Sequence, residues 1–204
     1  MTFSRILVPL DGSRLAGAVL PPACSVAQKL DARLVLVHVL ERDAPTTVHG
    51  EPHLRGAREA AAYLEEHAVP IRWRGLAVEV HVHECPVSDV AAALDAHTHE
   101  FAADLIAMCA HGRSNLRAQL IGSIAERIRR GGSVPILLRT VRRADGASFH
   151  LRKVLVPIDF GHDIETALAA ARTLALPYGA KLVLLTAPEP PPPRPAGCCR
   201  GRPP

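Results

Sequence analysis

The chain has 204 residues, 48% of them hydrophobic but only 3% aromatic, and a formal net charge of +4 at neutral pH. That length accommodates one domain with a full core plus additional material, and Ala, Val, Leu and Ile must build the core. No stretch approaches the ~20 apolar residues of a membrane span, and the scattered arginines, without interleaved aromatics, do not indicate a nucleic-acid partner.

The start, Met1 to Pro9, enters an apolar strand at once and lacks signal-peptide shape. The five cysteines, Cys24, Cys85, Cys109, Cys198 and Cys199, are odd in number and form no C-x-x-C. Free thiols in a reducing compartment fit this usage, so a soluble cytoplasmic protein is expected.

In chain order, Ile6 to Leu10 reads as a buried strand that ends at Asp11-Gly12-Ser13, with Pro9 near its end because proline cannot donate to a ladder. A helix follows, with Val19, Ala23, Val26, Ala27 and Leu30 on its apolar stripe. Pro21-Pro22 either kink that helix or lie in the first turn of a regular part beginning near Leu20. Leu34 to Leu40 is a second all-apolar strand. Glu41 to Pro52 reads as a polar loop, and Leu54 to His67 as a helix. Leu76 to Val82 alternates, with Glu79 and His81 on the wetter face, which suits an edge strand. A helix over Val87 to about His99 comes next.

Asp104 to Met108 is another short apolar strand. Beyond it come a loop with Gly112, the pair Gly122-Ser123, and a helical pattern with Ile124 and Ile128 on one stripe. Ser123 and Glu126 have capping-box spacing, so the helix is expected to start at Ser123 and run to Arg130. A strand, a glycine loop and a free helix N-terminus together suit a phosphate, because glycine lets the backbone approach and unpaired N–H groups face the anion. Val134 to Arg139 is the fifth strand. Alternating strands and helices predict an open, parallel, Rossmann-like α/β sheet with helices on both faces. Its ligand site is expected beyond the carboxyl ends of the strands, where the strand order reverses.

The segment around Gly112 and Gly122-Ser123 resembles the nucleotide loop of the universal stress protein family, Gly-x2-Gly-x9-Gly-(Ser/Thr). Gly112, Gly122 and Ser123 match, and Cys109 stands where the first glycine belongs. The resemblance implies strand order 3-2-1-4-5, a fifth strand used for dimerisation, and an adenine nucleotide ligand: ATP, with or without Mg. It implies that Pro9, Leu10 and Asp11 contact the nucleoside and that the backbone near Val39 faces adenine. Met108 and Cys109 belong to the same nucleotide site, while His111, Gly112, Arg113, Gly122, Ser123 and Ile124 surround the phosphates. From the residues alone, Asp11 is either a ligand carboxylate or the start of a turn. The absence of G-x-x-x-x-G-K-[ST] leaves P-loop hydrolysis without support, so at most slow ATP hydrolysis is expected. The role implied is a stress-response regulator. Cys109 suits three readings: a small hydrophobe narrowing the loop, the mark of a lost site in a nucleotide-free dimerising module, or a redox-sensitive thiol beside an anion site.

The chain then begins again. Val154-Leu-Val-Pro-Ile-Asp159 repeats Ile6-Leu-Val-Pro-Leu-Asp11, and Ala180 to Leu185 repeats Ala32 to Val37, at a constant offset of 148 residues. This internal duplication divides the chain into a domain at 1–140, a linker at 141–151, a partial second copy at 152–187 and a Pro-rich tail at 188–204, expected to be disordered or extended. The partial copy is expected to need the first domain or another chain to cover its sheet.

His81, His83 and Cys85 share one face of an extended strand, which invites a metal reading. His97 and His99, two apart on a helix, point in different directions. The histidines are therefore read as solvated surface, with no metal expected. Arg127, Arg129 and Arg130 complement the dipole at a helix C-terminus.

Overall fold

The computed structural model describes residues 2–48, 50–110, 123–131, 134–140, 149–158 and 164–186. The proposed tail at 188–204 and residues 141–148 of the proposed linker lie outside them.

Strands β1 (Arg5–Pro9), β2 (Arg33–Glu41), β5 (Val78–Val87), β6 (Leu105–Ala110) and β7 (Ile136–Thr140) form one parallel sheet in the order β5-β2-β1-β6-β7. This is the order the family resemblance implies, with β1 at the centre and the chain moving outward first on one side and then on the other. A two-residue hairpin, β3 (Thr47–Val48) and β4 (Glu51–Pro52), occupies the segment expected to be a polar loop. Ile6, Leu7 and Val8 of β1 and Leu34 to Val37 of β2 are completely buried. Strands covered on both faces leave no polar alternation, which is why they read as continuous apolar runs.

Helices α1 (Arg14–Gly17), α2 (Leu20–Leu30) and α3 (Ala57–Trp73) cover one face, where Ile6, Val8, Leu34 and Leu36 meet Val19, Ala23, Leu64 and Ala68. Helices α4 (Val90–Glu100) and α5 (Ser123–Gly131) cover the other, where Leu7, Val35, Val37 and Ile106 meet Leu94 and Ile128. The two prolines stand in the first turn of α2. Amide hydrogens there have no partner within the helix, so proline costs no hydrogen bond.

The ends of two elements move furthest from expectation. Helix α3 runs through Pro70 to Trp73 because Ala68 and Ile71 continue its buried stripe. Strand β5 extends to Val87, and its pairing with β2 shifts between Val39↔His83 and Glu41↔Val87. Asp104 ties the sheet together at its amino end, accepting from the Ser4 amide and hydroxyl at 2.7 Å and from the Arg5 amide at 3.1 Å.

A separate parallel pair, β8 (Lys153–Ile158) and β9 (Lys181–Thr186), is joined by α6 (Ile164–Ala175) and a single 3-10 turn. Its geometry follows the sequence repeat residue for residue. The register Arg5↔Arg33 recurs as Lys153↔Lys181. The left-handed residue before the second strand, Asp31 at φ 54°, recurs as Gly179 at φ 60°. The Ala32 amide donates to Ala27, as Ala180 does to Ala175. This unit rests on α2: the Ser25 and Tyr178 hydroxyls are 2.8 Å apart, and Lys29 lies over the Tyr178 ring.

Candidate functional site

The reversal of strand order on either side of β1 leaves a crevice at the carboxyl ends of β1, β2 and β6. A cavity of about 240 Å³ opens there. Pro9, Leu10 and Asp11 bring the end of β1 to it, Val39 and Glu41 the end of β2, and Met108 and Cys109 the end of β6. Ser123 and Ile124 present the first turn of α5, while Val90 and Leu94 of α4 close the floor. Eight of the twelve residues singled out from sequence thus line one cavity. The other four, His111, Gly112, Arg113 and Gly122, lie outside the described residues.

The wall at β1 is built by local hydrogen bonding. Asp11 Oδ1 accepts from the Ser13 amide at 2.9 Å and from the Ser13 hydroxyl at 2.6 Å. The Ser13 hydroxyl oxygen in turn accepts from the Ala16 amide at 3.1 Å, capping α1. Asp11 therefore fills the turn role, and its carboxylate still forms part of the cavity wall. Between them Gly12 has φ +91°, and a Cβ there would lie 2.7 Å from Leu54 Cγ, so only glycine fits.

Two histidines not singled out as site residues from sequence also line the cavity. His38, 2% exposed, lies between two carbonyls: Leu10 at 2.7 Å from Nδ1 and Leu54 at 3.2 Å from Nε2. A carbonyl oxygen can only accept, so at the shorter contact Nδ1–H donates to Leu10. The ring thereby links the end of β1 to the chain entering α3. His53 is also buried on the wall, and its Nδ1 has no hydrogen-bond partner among the described residues. A histidine inside an apolar strand gives no periodic signal, so His38 was legible only as a strand residue.

Cys109 is buried, and its thiol is pushed up to about 11, first by desolvation; Asp11 adds to the rise and Arg139 opposes it. The redox reading, one of the three that Cys109 suits, required a positive potential favouring the thiolate. Burial dominates instead, so the thiolate is a minor form at neutral pH. The small-hydrophobe reading describes the position Cys109 occupies.

The arrangement is chemically specific in outline: a mostly apolar slot with two carboxylates, Asp11 and Glu41, at its strand ends and a helix N-terminus on one side. The profile of the Universal stress protein family matches residues 2–139. The chain belongs to the universal stress protein family.

Solved structures share the universal stress protein fold. A universal stress protein in complex with cAMP is 20% identical, with a TM-score of 0.51, covering 69% of this chain and 98% of that one. The universal stress protein from Archaeoglobus fulgidus is 21% identical, with a TM-score of 0.51, covering 68% and 94%. A functionally unknown protein from Pseudomonas aeruginosa PAO1 is 17% identical with a TM-score of 0.69, covering 90% of this chain and 60% of its own. None of the curated proteins compared with it matches the chain.

One expectation about this universal stress protein's surface is corrected. His97 is 4% exposed, not solvated, and His81 and His83 are half-buried. The longer β5 carries His83 alongside α4, which buries His97 against the strand. His97 Nδ1 lies 2.7 Å from Glu100 Oε2, and its Nε2 lies 3.1 Å from His83 Nδ1. Desolvation, followed by His97, holds His81 below the ordinary histidine value. His99 remains exposed, pointing away as its helical position requires.

Proposed function

We propose that the protein binds an adenine nucleotide, ATP in the first instance, in the cavity at the ends of β1, β2 and β6, and acts as a cytoplasmic stress-response regulator. The observation that carries this reading is the convergence of Asp11, Val39, Met108, Cys109, Ser123 and Ile124 on one cavity at the switch point. The relative crystallised with cAMP supports the choice of ligand class.

The residues present fit such a ligand. At about 240 Å³ the cavity is smaller than the ~300–1,000 Å³ typical of whole drug-sized ligands, so it suits base and sugar rather than a complete nucleotide. Val39, Val37 and Leu94 offer apolar walls for a base, and the carboxylates of Asp11 and Glu41 can accept from sugar hydroxyls. Phosphates belong on the side of Ser123, where α5 begins and its first-turn amides favour an anion. With Mg bound, the nucleotide would bring its own counter-charge. Catalysis beyond slow ATP hydrolysis is not part of the proposal.

Calorimetric titration of the parent protein with ATP, beside Gly122→Val and Cys109→Gly, tests it. Binding by the parent that Gly122→Val abolishes is the expected result; Asp11→Ala is expected to weaken it about tenfold or more, as loss of a charged hydrogen-bond partner does. Cys109 in the cavity wall favours one alternative, a nucleotide-free dimerising module. Binding by Cys109→Gly alone would show that the natural chain has lost its ligand and would favour that reading.

We further propose that β8–α6–β9 is a partial second copy of the same fold, on the strength of its matching register and offset, and that β7 mediates a homodimer. Strand β7 is at the sheet edge, and Ile136 to Leu138 are only partly covered there. A monomeric mass by light scattering at micromolar concentration would exclude the dimer.

A further inference from the structure

Strand β5 and helix α4 build a second constellation that the nucleotide cavity does not use. His81 and His83, two residues apart on an extended strand, project from the same face of β5. Helix α4 crosses that face and places His97 against them. The available ligand atoms of the three histidines all lie within 4.8 Å of one another. None of the three lines the cavity.

The hydrogen bonding around the group has the form of a coordinating set. His97 Nδ1 donates to Glu100 Oε2 at 2.7 Å, a carboxylate–imidazole pair that fixes the ring and leaves the Nε2 lone pair directed at β5. That lone pair faces His83 Nδ1 at 3.1 Å. Two nitrogens bound to one tetrahedral zinc at 2.0–2.1 Å lie about 3.3 Å apart, so this pair is already at coordinating separation. His81 Nε2 is buried and has no hydrogen-bond partner among the described residues. Phe101 packs edge-on against the His81 ring at 5.1 Å. Closing the widest separation to about 3.3 Å takes at most roughly 1.5 Å of movement, which the half-buried rings of His81 and His83 can supply.

We propose that His81, His83 and His97 bind a divalent transition-metal ion, zinc being the ion that fits, with Glu100 as the positioning carboxylate. Three imidazole nitrogens select borderline ions over calcium or magnesium, which require oxygen. Three protein ligands leave a fourth tetrahedral position for water, and the half-buried strand histidines give solvent a route to it. The bound ion would clamp the edge strand to α4. Leu94, one turn before His97 on α4, lines the nucleotide cavity, so the clamp and the cavity share a helix.

The test is zinc titration of the full chain, free of any polyhistidine tag that would itself bind metal, against a chromogenic chelator, with Co2+ absorption as a second readout. The expected result is one zinc per chain, a Co2+ spectrum of tetrahedral intensity, and a zinc-dependent rise in Tm. His81→Gln and His83→Gln are expected to lose all three. Glu100→Gln is expected to weaken zinc about 10–100-fold while leaving Tm in chelator unchanged, which a purely structural role for Glu100 would not do. Absence of zinc from the parent at micromolar concentration would overturn the proposal. So would one equivalent retained by the His81→Gln/His83→Gln double variant.

Discussion

Gly12 joins two constraints at one residue: a positive φ, and a Leu54 side chain where its Cβ would go. Gly12→Ala is expected to destabilise the fold by about 1–3 kcal/mol, read as a lower denaturation midpoint at unchanged slope. Cys109 gives a pH-dependent prediction. Its pKa of about 11 in the fold lies above the ordinary 9.0, so between those values the unfolded chain loses the proton first. The stabilisation is therefore complete below pH 9 and is lost as pH rises from about 9 to 11. The stability of the parent should fall more steeply over that range than that of Cys109→Ala. At this scale the sequence was partly legible. Asp11 and Ser123 could be placed because each adjoins the end or start of an element with a recognisable pattern, and Met108 because it lies in a continuous apolar run. His97 could not, because its surroundings are set by how far β5 runs beside α4, a tertiary fact.

At the scale of elements, the buried strands were read with the right type and nearly the right ends, since burial on both faces writes itself as an apolar run. The end of α3 was not. A proline usually closes a helix, and local propensity alone sets Pro70 against continuing it by about 3 kcal/mol. Burial of Ala68 and Ile71 against the sheet outweighs that preference. Pro70 is itself exposed. Pro70→Ala should therefore restore a backbone donor without disturbing the core, and is expected to raise stability by about 1–3 kcal/mol in chemical denaturation. The length of β5 escaped for a related reason: Glu84, Cys85 and Pro86 break the apolar alternation, yet the strand continues to Val87.

For the whole molecule, strand order followed from the family resemblance and the alternation of elements, while the lodging of β8–α6–β9 on α2 had no sequence signature. That lodging covers only part of the unit: Leu155, Leu184 and Leu185 each remain more than half exposed. Two strands and one helix bury too little to be stable alone, so this unit is expected to open well before the five-stranded sheet. Native-state hydrogen exchange should show β8 and β9 amides exchanging at lower opening free energy than those of β1, β2 and β6. Equal protection across all of them would refute the ranking. In the described residues no helix is long and apolar enough to cross a membrane.

The duplicated register has a consequence for how the chain finds its fold. Strand β2 meets two candidate neighbours, β1 and β8, that carry near-identical Ile/Val-Leu-Val-Pro motifs and pair at the same spacing. Side-chain complementarity discriminates weakly between them. Chain entropy discriminates better. The connection from β2 to β8 is about fivefold longer than that from β1 to β2, and each doubling costs about 0.6 kcal/mol, so the correct partner is favoured by about 1.4 kcal/mol before any tertiary contact forms. Synthesis from the amino terminus reinforces the same choice, since β1 and β2 emerge long before residue 153. The native pairing is thus secured by proximity and timing, and full-length chains refolded from denaturant should mispair more often than chains emerging from the ribosome.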